Sequence, residues 1–167
     1  MFAADQISLA REVLDVCRQH GLRLGLAESC TGGLLGGCLT AIAGSSDVFD
    51  RGFVVYQNTA KADMLGVPSD LLDREGAVNE PVARAMAEGV LVNAPVDVSV
   101  AITGISGPGG GSRAKPVGTV FIAAALKNGS VLCERHTFDG DRDRVRMQSV
   151  SAALRLLHAV LATAGKA

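Results

Sequence analysis

The sequence predicts an α/β fold: a three-layer α/β/α sandwich on a mixed sheet of about five strands, containing an antiparallel C-terminal hairpin. Two observations carry that prediction. Helical and strand periodicities alternate through the first two thirds of the chain, the pattern of a sheet covered by helices. Asn128-Gly129 then joins two strand-length runs, and a turn that tight makes the strands on either side antiparallel.

Each element follows from local signals. Residues 5–20 place Ile7, Ala10, Leu14 and Cys17 at helical spacing, and Gly21 stands where a C-cap belongs. Residues 22–27 are an apolar run of strand length. Residues 31–42 read as a second helix that stops near Gly44. Residues 53–56 are rich in β-formers and lead to Asn58, an N-cap for a short helix over 59–65 that Gly66-Val67-Pro68 ends. After a loop, Asn79 caps a helix entered through Glu80-Pro81, with Val82, Ala85, Met86 and Val90 as its buried stripe. Residues 96–103 and 117–126 are the strongest strands, and 131–138 complete the hairpin. Asp141 opens a long final helix. No repeat or linker interrupts the chain, so residues 1–167 are expected to form one domain.

Composition narrows the function classes. Sixteen Lys and Arg against 17 Asp and Glu give a net charge of −1, which removes the basic field of a dedicated nucleic-acid binder. The uncharged run 29–46 is too rich in Gly, Ser and Thr to insert into a bilayer, and no basic, apolar leader precedes the first helix. A cytoplasmic location without membrane contact is therefore expected. Cys17, Cys30, Cys38 and Cys133 form no C-x-x-C pair and have no regularly spaced His, so neither a metal site nor a disulfide framework is suggested.

Three loops that follow predicted strands carry small or reactive residues: Ala27-Glu28-Ser29-Cys30-Thr31-Gly32-Gly33, Tyr56-Gln57-Asn58-Thr59-Ala60-Lys61, and Thr103-Gly104-Ile105-Ser106-Gly107-Pro108-Gly109-Gly110-Gly111. In the first, Gly32, Gly33, Gly36 and Gly37 fall inside the predicted helix, where each costs ~1 kcal/mol relative to Ala. Close approach of a ligand to free N–H groups would offset that cost; Ser29 as an N-cap with tight helix-to-sheet packing is the alternative. A serine nucleophile needs a base. His20, His136 and His158 lie away from these loops, whereas Lys61 sits in the first turn of a helix, where burial and the helix dipole both favour the neutral amine. Tyr56 could relay a proton or orient that amine, although a solvated Lys after an aromatic strand residue fits the same local sequence. Cys30 is the rival nucleophile, with no His partner nearby.

The Gly-rich third loop has neither G-x-G-x-x-G nor G-K-[ST] spacing, so it is neither a dinucleotide fingerprint nor a P-loop. Ser112 to Lys115 spells S-x-x-K, but Pro116 works against the helical geometry that motif needs. In the charged run from Asp139 to Arg146, an Arg could reach a phosphate as a forked donor, or the run could simply be a solvated first turn.

Taken together, these blocks resemble the CinA C-terminal domain family, the nicotinamide-nucleotide amidases. The likeness extends to Gly44-Ser45-Ser46, Gly76-Ala77-Val78 and Lys115-Pro116-Val117-Gly118-Thr119. The family implies hydrolysis of nicotinamide mononucleotide to nicotinic acid mononucleotide and ammonia, in pyridine nucleotide recycling, with no cofactor or metal. Ser29 would be the nucleophile, Lys61 its base and Tyr56 an assistant. Thr31, Gly32, Gly33, Thr103, Gly104 and Gly107 would meet the substrate and its oxyanion, and Arg142 its phosphate. Ser106 stands where relatives commonly carry Ala. The partner implied is a small nucleotide, with self-association left open. A nucleotide-binding or regulatory module of competence or damage responses is the competing reading.

Overall fold

In a computed structural model of the chain, residues 2–127, 129 and 131–164 are described. The elements run α1 (Ala4–Gln19), β1 (Leu24–Glu28), α2 (Leu34–Thr40), a 3-10 turn at Ser45–Asp47, β2 (Phe49–Val54), α3 (Asn58–Leu65), α4 (Ser69–Glu75), α5 (Glu80–Asn93), β3 (Val98–Gly104), β4 (Thr119–Leu126), β5 (Val131–Thr137) and α6 (Arg142–Ala164). The sheet order is β2-β1-β3-β4-β5. β1 lies parallel to both β2 and β3, while β4 is antiparallel to β3 and to β5. The expected mixed five-stranded α/β fold is therefore present, including the antiparallel β4–β5 pair. Of the turn read at Asn128-Gly129, Asn128 lies outside the described residues.

Strand alternation divides the core into two layers. Leu24, Leu26, Val98, Val100, Ile102, Val120 and Ile122 point toward α1, α2 and α6. The opposite face offers small residues, among them Ala27, Ala101, Ala123 and Ala125, toward α3, α4 and α5. That small face lets α5 settle close to the sheet, where Ser99 Oγ donates to the Ala87 carbonyl at 2.7 Å. Packing between α5 and α3 is closer still. A Cβ at Gly89 would stand 2.2 Å from the Leu65 carbonyl oxygen, so no side chain fits without moving the end of α3. Gly89→Ala should therefore lower stability by about 2 kcal/mol, although Ala favours an isolated helix by ~1 kcal/mol. Urea unfolding checks this, and a stabilised variant would contradict the crossing described.

Several boundaries differ from expectation for identifiable reasons. The second helix begins at Leu34 rather than at residue 31, because Gly32 and Gly33 hold φ values of +59° and +99° and form the turn before it. Of the four glycines placed inside that helix, only Gly36 and Gly37 are there. β2 starts at Phe49, since pairing with β1 recruits Asp50, Arg51 and Gly52 into an edge strand. Gln57, not Asn58, is the N-cap of α3, with no side-chain hydrogen bond. The segment expected as a loop before Asn79 contains α4. On α5, Asn79 caps as expected by accepting from the Val82 N–H at 2.8 Å, but Ala85 is only partly buried and Ala83 and Ala87 take its place in the stripe.

Candidate active site

The first and second loops meet at the C-terminal ends of the parallel strands. Ser29 follows β1 directly, and its N–H donates to the Ile102 carbonyl at 3.0 Å, extending the pairing with β3 by one residue. On the other side, the Val55 N–H donates to the Glu28 carbonyl at 2.9 Å. α3 then starts close to Ser29, and the Lys61 side chain runs back toward the helix N-terminus, as helical side chains do. Its Nζ lies 3.2 Å from Ser29 Oγ, 2.8 Å from the Val55 carbonyl oxygen and 3.2 Å from the Tyr56 carbonyl oxygen.

Lys61 is only 1% exposed and is among the largest fully buried side chains. Among the described residues, no carboxylate pairs with it. Burial holds its pKa below the ordinary lysine value, with the neighbouring Cys30 acting weakly in the opposite direction. As an ammonium Nζ would donate to all three oxygens; as a neutral amine it gives two N–H bonds to the carbonyls and keeps its lone pair for the Ser29 hydroxyl proton. Cys30 is itself 6% exposed, and burial is the main cause pushing its thiol above the usual range. A buried thiol held protonated is a poor nucleophile.

The other anticipated residues divide. Tyr56 contributes its carbonyl to the lysine, but its ring is half exposed and its hydroxyl accepts from Arg142 Nη2 at 2.8 Å. The phenol therefore meets Arg142, while the Tyr56 carbonyl meets the Lys61 amine. Arg142 Nη1 donates to the Gly107 carbonyl at 2.8 Å, so this guanidinium joins the start of α6 to both the second and third loops. Thr103 Oγ1 donates to the Ala77 carbonyl at 2.8 Å, which commits its proton to the chain before α5, and Gly104 is the last residue of β3. Thr31 is fully buried, with Oγ1 unpartnered among the described residues.

Two residues with large local roles were not anticipated. Glu28 is 0% exposed; its carboxylate accepts from the N–H groups of Gly33 (3.1 Å), Leu35 (3.1 Å) and Gly36 (2.8 Å). The Gly32 N–H is also taken, by the Ser29 carbonyl at 3.1 Å. The expectation that the Gly32 and Gly33 N–H groups hold an oxyanion is corrected by these bonds, because both donors are spent inside the protein. Arg146 donates from Nε to the Cys30 carbonyl and from Nη2 to the Thr31 carbonyl, each at 3.1 Å. Its spacing from Arg142, four residues along one helix, was the available signal.

His20 and His158 are exposed on α1's end and α6, and His136 pairs with Glu134 on edge strand β5. Ser112 Oγ accepts the Lys115 N–H at 3.1 Å in an exposed turn, so the S-x-x-K tetrad is not a helical motif here. No helix among the described residues is long and apolar enough to cross a membrane.

Fold and site together define an α/β domain that gathers a serine, a buried lysine and two arginines around the ends of its parallel strands. The chain belongs to the CinA C-terminal domain family, whose model matches residues 6–161. It is 46% identical over 157 residues to the nicotinamide-nucleotide amidohydrolase PncC of Escherichia coli K12, covering 94% of this chain and 95% of that protein. It is 52% identical over 153 residues to a CinA-like protein of Syntrophobacter fumaroxidans, covering 92% of this chain but only 36% of that longer relative. The crystal structure of the competence/damage inducible protein CihA from Agrobacterium tumefaciens superposes with a TM-score of 0.93 at 47% identity, covering 96% of this chain and 98% of that one.

Proposed function

We propose that this domain hydrolyses the carboxamide of nicotinamide mononucleotide, giving nicotinic acid mononucleotide and ammonia within pyridine nucleotide recycling. The observation that carries the reading is the 3.2 Å contact between Lys61 Nζ and Ser29 Oγ, in surroundings that lower the lysine pKa. Likeness to PncC along nearly the full length of both chains supports the substrate.

The neutral Lys61 amine takes the Ser29 proton as Oγ attacks the carboxamide carbon, so that one base activates the nucleophile and later serves as the acid. Collapse of the tetrahedral intermediate breaks the C–N bond, and the Lys61 ammonium returns the proton to the departing nitrogen, which leaves as ammonia. Water, deprotonated by the same amine, then attacks the Ser29 ester and releases the acid. Arg142 is the candidate for the phosphate, as a forked donor at the mouth of the site.

An ammonia assay across nicotinamide, its riboside and its mononucleotide tests this. Turnover of the mononucleotide well above the other two is expected. Tight nucleotide binding by calorimetry with no product over hours would overturn it in favour of a binding or regulatory module.

A further inference from the structure

We propose that Arg146 is a positioning residue for the Ser29 reaction, presenting the Thr31 N–H as a donor to the developing oxyanion. This rests on the hydrolytic reading above. From Ser29 to Gly36 most N–H groups are committed: Ser29 to Ile102, Gly32 to Ser29, Leu34 to Thr31, and Gly33, Leu35 and Gly36 to the Glu28 carboxylate, which leaves those of Cys30 and Thr31 with no acceptor on another residue. Among the described residues, the Thr31 N–H alone in residues 31–36 donates to no protein acceptor, in a residue that is 0% exposed. A buried amide left unpaired is rare, and beside a nucleophile it marks a place for a ligand atom.

Arg146 determines where that amide faces. Nε holds the Cys30 carbonyl, the other end of the same peptide group, and Nη2 holds the next carbonyl along. In a planar trans peptide the C=O and N–H point in opposite directions, so anchoring the Cys30 oxygen against α6 turns the Thr31 N–H away from it. A charge-assisted bond at the carbonyl end also polarises the peptide and strengthens the donor at the other end. The Arg146 side chain is only 26% exposed, and its remaining ionic partner, Asp143, lies 3.6 Å away on the solvent side. A lysine has no fork and cannot grip both carbonyls.

The experiment follows Ser29 phosphonylation by a fluorophosphonate using intact mass, alongside steady-state kinetics on the mononucleotide, with Ser29→Ala as the unlabelled control. Arg146→Gln should be labelled about 100-fold more slowly, the usual effect of losing one oxyanion donor. Its kcat should fall by a similar factor while KM moves less than about threefold, and the pH inflection of labelling should stay in place because Lys61 is untouched. Arg146→Lys should fall between the two, and it decides the matter alone if the Gln variant does not fold. Labelling of the folded variant within about threefold of wild type would overturn the inference, as would a displaced pH inflection. If the wild type labels readily but does not turn over the mononucleotide, the substrate reading fails while the labelling comparison still judges Arg146.

Discussion

Ser29→Ala is expected to lower kcat on nicotinamide mononucleotide by about 10⁴-fold or more while leaving the fold intact, since removing a covalent nucleophile leaves only binding and oxyanion contacts to act. The structural change is small. One oxygen is lost together with its 3.2 Å contact to Lys61, and the backbone bond from Ser29 to Ile102 is retained. The stability cost should stay near 1 kcal/mol, the usual net value of a single hydrogen bond. Product formation and a urea titration on the same sample separate the two effects. Near-normal turnover by the variant would remove Ser29 as the nucleophile, and Cys30, despite its burial, would become the group to test.

Lys61→Met is expected to cost about 10³-fold in kcat by removing the general base. The substitution keeps an unbranched chain of similar length but leaves the Val55 and Tyr56 carbonyls without the Nζ donor. Its pH dependence carries more information than its size. The folded-state pKa of Lys61 is lowered by burial, so wild-type kcat/KM should rise with pH through that pKa and level off above it. Stability has the same sign. Between the lowered folded value and the unfolded value near ~10.4, unfolding takes up a proton, so wild-type stability increases with pH across that window. Lys61→Met lacks this contribution. Denaturant midpoints should therefore climb with pH across that window in the wild type relative to the variant, whereas parallel profiles would show that the amine stays charged in the folded protein.

The parts of this molecule that could be read in the sequence are those whose cause is local. β3 and β4 are uncharged runs of strand length, Asn128-Gly129 signals the turn into β5, and Asn79 with Pro81 announces α5 wherever it packs. The pairing of Ser29 with Lys61 was approachable because both follow strands that end on the same side of the sheet. What escaped depends on partners that the local sequence does not name. β2 includes Asp50, Arg51 and Gly52 only because β1 lies alongside them. α4 has too few apolar residues to stand out, with Leu71 and Leu72 its only large ones. Gly32 and Gly33 look like helix interior until their positive φ values are known. Glu28 and Arg146 act on backbone N–H and C=O groups, which every residue but proline possesses, so no residue type marks the other half of the contact. Tyr56 was expected to relay a proton or orient the amine, and its contact with the lysine runs through a backbone carbonyl that its side-chain type does not announce.

The carboxylate of Glu28 gives the site a character of its own. Many helices keep their first turn vacant for a visiting ion; here a permanent resident occupies it, delivered by the strand next door. The loop carrying Ser29 thus acquires its shape when the chain folds and needs no guest to assemble it. A negatively charged visitor finds that berth closed.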